Sequence, residues 1–191
     1  MFNRKLYREN YAQNPMDPNH PIYTGNYFRF EGAAADYRRF RASMLVLAFI
    51  SLLGFLPGGL LAEAGPSNHK WFCTLPWAFC WLPIGMSVYA SVRLLGTPQE
   101  MTIDAYRGRF RNLCGSMLAT AFFSLWLAVG EVYILISGQT AAAGVYTPDA
   151  LTLAGAILSL IAGCAGFFIR IGKKCTEIHN QSTKNSKKRE K

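Results

Sequence analysis

The hydrophobic pattern along the chain is four long apolar blocks separated by short polar pieces. Residues 42–62, 71–92, 113–137 and 150–169 form the blocks, and only the third carries a charge, Glu131. A helix needs about 20 apolar residues to cross a hydrocarbon core about 30 Å thick. Each block meets that length and lacks the polar stripe of a soluble amphipathic helix. The pattern therefore predicts an all-α membrane protein with four transmembrane helices.

The chain also resembles itself. Residues 43–53 and 116–126 agree at seven of eleven positions: Ser43, Met44, Leu45, Ala48, Phe49, Ser51 and Leu52 match Ser116, Met117, Leu118, Ala121, Phe122, Ser124 and Leu125. Just upstream, Tyr37, Arg38, Phe40 and Arg41 match Tyr106, Arg107, Phe110 and Arg111. Self-similarity at a fixed period points to duplicated units. The expected organisation is two tandem helical hairpins, residues 37–95 and 113–172, forming a parallel internal repeat about an axis along the membrane normal. Around them lie a 1–36 tail rich in Asn, Pro and Tyr, expected as extended or turn-rich chain, and a 96–112 loop. The basic 173–191 tail is expected to be disordered.

Charge sets the orientation. Net charge is +9, although only 16% of residues are charged and 51% are hydrophobic. The cations cluster beside the apolar blocks, so the positive-inside rule explains them better than nucleic-acid binding does, and no nucleic-acid partner is expected. Arg38, Arg39, Arg41, Arg107, Arg109, Arg111, Lys173 and Lys174 fall on one side, expected to lie at the membrane surface; Lys70 stands alone on the other, and residues 138–149 carry no Lys or Arg. Both termini and the 96–112 loop are therefore expected in the cytoplasm (N-in/C-in), against an anionic inner leaflet, in a bacterial plasma membrane. Residues 1–37 contain no apolar core of signal-peptide type, so insertion is expected to fall to the first span. The sequon at Asn180 would lie inside and go unused.

Chemistry-bearing motifs are few. The five cysteines form no C-x-x-C pair, and His20, His69 and His179 are scattered, so neither a metal site nor a cofactor is expected. Nothing matches a nucleophile elbow, a zinc-protease motif or a phosphate loop. Small residues recur at helical spacing in three blocks: Gly54, Gly58 and Ala62; Ser116, Thr120, Ser124 and Ala128; Gly155, Ser159 and Gly163. Such rows let helices approach closely in lipid, and they are read as packing faces. Pro76 and Pro83 predict bends in the second span. Glu131 shares the small-residue face of the third block. An acid inside a span is expensive, so it is a candidate ion or proton site, or alternatively a structural group reaching water, Lys70 or His69.

These features predict a non-enzymatic accessory or scaffold component that binds lipid, a second copy of itself as a homo-oligomer, or another membrane protein. The alternative is a subunit of a small oligomeric transporter or channel using Glu131. A membrane enzyme acting on lipid or quinone ranks third, since active sites gather several titratable groups.

Overall fold

The computed structural model describes residues 11–12, 22–60, 70–137 and 147–178. Four helices are long and apolar enough to cross a membrane: α1 (Ala34–Leu60), α2 (Trp71–Leu95), α3 (Asn112–Ile136) and α4 (Thr147–Ile171). At 25–27 residues each, they run to about 38 Å, more than the hydrocarbon thickness. Both prolines of α2 sit inside an unbroken helix.

The distribution of side chains is that of a membrane bundle. Leu53, Leu82, Phe122, Val129, Ile161 and Phe168 are exposed, while Ser51, Ser87, Ser91, Thr120, Ser124 and Ser159 are buried. In lipid the outward apolar residues lose nothing, and association rests on close contact and polar links inside. The helices form a ring in which α1 contacts α2 and α4, and α3 contacts α2 and α4.

Small residues make the seams. A methyl carbon built on Gly155 of α4 would overlap the carbonyl oxygen of Gly54 in α1, and beside it the Ser159 hydroxyl donates to the Ser51 carbonyl at 2.9 Å. One built on Gly163 would lie 2.9 Å from the Ala121 nitrogen of α3. Between α2 and α3, Cys80 Sγ lies 3.7 Å from Ser124 Oγ. Gly54, Gly155, Ser159, Gly163, Ser116, Thr120, Ser124 and Ala128 are thus all inward. The surroundings of Gly58, and Ala62 itself, lie outside the described residues.

One end of the bundle carries β-structure that the apolar pattern did not announce. Strands β1 (Tyr11–Ala12) and β2 (Ile22–Tyr23) pair with each other. β3 (Tyr27–Phe30) is the centre of an antiparallel sheet between β4 (Glu100–Thr102) and β5 (Cys175–Ile178). The expectation of a structureless 173–191 tail fails for Cys175–Ile178. These residues are mostly exposed, so backbone pairing to β3 does most to hold them, with Cys175 alone half-buried against the core. The 96–112 connection is likewise largely helical: a turn at Ile103–Ala105 and a π-helical segment, Tyr106–Arg111, lead directly into α3. Gly32, at φ +132°, turns β3 into α1 through a conformation that side chains disfavour. Beneath the sheet an aromatic core gathers Phe30, Tyr37, Phe40 and Phe110 with Met44, Leu94, Met101, Leu113 and Met117. The N-terminal segment, the middle connection and the C-terminal segment therefore meet at one end of the molecule.

Candidate functional site

Glu131 lies near the opposite end of the bundle, late in α3, where Gly130 lets Cys73 and Phe72 of α2 come close. It is 1% exposed. Asp149, in the first turn of α4, is equally buried. Both carboxyl groups lie close enough to the thiol of Cys73, in the first turn of α2, to act on it electrostatically. Thr152 is buried one turn further along α4. The ends of three helices thus bring two acids, a thiol and a hydroxyl into one region. The N-termini of α2 and α4 favour negative charge there through their free N–H groups and their dipoles.

Sequence reasoning singled out Glu131 and missed Asp149, which it left in the 138–149 connection. A signal was present. Thr147, Pro148 and Asp149 form a helix start, with a proline in the first turn and an acid behind it. Extending the fourth helix back to Thr147 places Asp149 inside the bundle.

Two carboxyl groups in a low-dielectric interior can share a proton or hold a cation. Among the described residues, no three His, Cys, Asp or Glu side chains close into a metal-binding group. Two cavities lined by described residues lie elsewhere, and Glu131 lines neither. The larger, about 700 Å³, is an apolar groove between α2 and α3. The smaller, about 360 Å³, is a polar hollow near the sheet, lined by Arg93, Asp104 and Arg109 among others.

The predicted surface cations divide into two groups. Arg38, Arg39, Arg107, Arg111 and Lys174 are exposed at the sheet end. Arg41 and Arg109 are half-buried and converge on Thr97: Arg41 donates to the carbonyls of Leu95 and Thr97, and Arg109 to the Thr97 hydroxyl at 2.7 Å. They tie the C-terminal end of α2 rather than simply facing lipid headgroups. Those acceptors end a helix and need outside donors. Lys173 is also half-buried, with its ammonium 6.0 Å from the Phe30 ring centroid. Arg170 serves the aromatic core, donating through Nε to the Phe110 carbonyl at 3.0 Å and lying 3.7 Å over the Phe110 ring.

Compared with known protein families, characterised proteins and solved structures, the chain matches none.

Proposed function

We propose that this chain is a non-enzymatic accessory or scaffold component of a membrane, built as two tandem hairpins with both termini in the cytoplasm, and that its partners are lipid and other membrane proteins. The observation that carries the proposal is the contrast between the two ends of the bundle: its costly acids, Glu131 and Asp149, are buried, while its structured end is exposed. Glu131 is 1% exposed, and it lines neither the apolar groove nor the polar hollow. The exposed, structured end, by contrast, is assembled from three separate parts of the chain.

The tandem arrangement draws support from burial at matched positions. Met44 and Met117 are both fully buried, as are Ser51 and Ser124; Ala48 and Ala121 are buried, and Phe49 and Phe122 are exposed. The matched Phe40 and Phe110 meet each other, with ring centroids 5.4 Å apart. The cytoplasmic placement rests on the cations gathered at the sheet end, against Lys70 at the other.

The transporter or channel reading keeps one specific support, the second acid beside Glu131. The two are separated by flux. In proteoliposomes, wild-type and Glu131→Gln protein are expected to show the same background passage of protons and monovalent cations. A flux above background that Glu131→Gln abolishes would overturn the scaffold reading.

A further inference from the structure

We propose that the groove between α2 and α3 holds one phospholipid of the leaflet at the sheet end, with Arg111 and Asn112 on its phosphate and its acyl chain along Gly115 and Ala119. The site rests on the membrane-scaffold reading and gives it a defined lipid partner.

The groove is built from the sequence of both helices. On α3, Gly115 and Ala119 are one turn apart and lower its floor; a methyl carbon on Gly115 would meet nothing within 4 Å. On α2, Pro83 cannot donate to the Phe79 carbonyl, and the stretch Phe79–Met86 forms the facing wall. The deep end is closed by Phe79 stacked on Phe123, with ring centroids 6.1 Å apart. The open end carries Arg111 and Asn112, both exposed. Its volume of about 700 Å³ falls in the range of sites that bury a small amphiphile.

Three observations select a lipid. The first is reach: from Arg111 to Phe123 is about 18 Å of helix, the depth of one leaflet rather than two. A partner helix crossing the whole membrane would need a longer trough. The second is chemistry: an apolar channel with a guanidinium at its mouth is the complement of an acyl chain under a phosphate. The third is that no described residue claims Arg111. Its repeat counterpart Arg41 is spent on the carbonyls of Leu95 and Thr97. Among the described residues, none engages the Arg111 guanidinium in a hydrogen bond or an ion pair. In the related seam between α4 and α1, Gly54 lies directly against Gly155.

Delipidated full-length protein, titrated with phosphatidylglycerol and with phosphatidylcholine of the same chains, tests the site by native mass spectrometry. One phosphatidylglycerol per chain is expected, held more tightly than phosphatidylcholine, with no retention of free glycerol phosphate. Arg111→Gln is expected to weaken it about tenfold. Gly115→Leu should fill the groove and abolish retention while leaving thermal unfolding unchanged or raised, since leucine favours helix over glycine. Equal retention by wild type and both variants would overturn the proposal. So would a wild-type dimer that Gly115→Leu converts to monomer with lipid binding unchanged, because the groove would then hold a second copy. Retention is read without any flux, so failure here leaves the scaffold reading intact, and a Glu131-dependent flux leaves the lipid site intact.

Discussion

Replacing Gly155 with leucine is expected to leave little folded protein in detergent or bilayer. Where α1 and α4 cross, the two backbones touch: even the first side-chain carbon at this position would overlap the Gly54 carbonyl oxygen. Nothing flexible stands there to yield, so the helices must part. Parting breaks the Ser159 to Ser51 hydrogen bond and opens the seam around two buried serines. Ordinary overpacking costs about 1–3 kcal/mol; loss of a whole seam should exceed roughly 4 kcal/mol, among the largest effects of single substitutions. Unfolding in mixed micelles of rising SDS fraction measures it. Gly85→Ala is the control, since its added carbon meets nothing within 4 Å; it should stabilise by about 0.5–1 kcal/mol. Similar stabilities for the two variants would mean that α1 and α4 do not meet at these glycines.

Phe110→Ala is expected to cost about 3–5 kcal/mol and to release the β-structure from the bundle. The ring is fully buried. It packs on Phe40 and Tyr106, with Phe30 at 6.4 Å, and carries Arg170 on its face. Truncation leaves a cavity under the sheet and removes the ring from the face of the Arg170 guanidinium, whose bond to the residue-110 carbonyl remains. Hydrogen exchange should then quicken at β3 and β5 while the interiors of α2 and α3 keep their protection. Unchanged protection at β3 would show that the sheet does not depend on this core.

Physical constraints of different strength decided what was readable beforehand. The four spans were legible because hydrocarbon accepts only segments that satisfy their own backbone groups over about 20 residues. The inward faces were legible for a related reason: in lipid, small and hydroxyl residues at helical spacing have few other uses. The strands were not. Tyr27–Phe30 and Cys175–Ile178 are four residues each, too short for periodicity to register, and their pairing joins chain segments nearly 150 residues apart, a separation no local rule anticipates. The partners of Arg41 and Arg109 were hidden because the acceptors belong to the end of α2, and any residue type could have supplied those carbonyls. Asp149 was missed by placing the start of a helix three residues late, at the first purely apolar residue instead of at the Thr-Pro-Asp start.

The central claim is a four-span bundle whose N-terminal segment, middle connection and C-terminal segment share the cytoplasmic face. Native thiols serve this test poorly: Cys73 and Cys80 are buried, and burial pushes the Cys175 thiol up to about 11, against a smaller opposing pull from Arg170. Single cysteines at Lys70, Glu100 and Lys174, in a background lacking the native ones, are the direct probes. With a membrane-impermeant maleimide on sealed vesicles of known sidedness, Glu100→Cys and Lys174→Cys should label from the cytoplasmic side alone and Lys70→Cys from the other side alone. Labelling of Glu100→Cys and Lys174→Cys from opposite faces, or of Lys70→Cys from the same face as Glu100→Cys, would contradict the account.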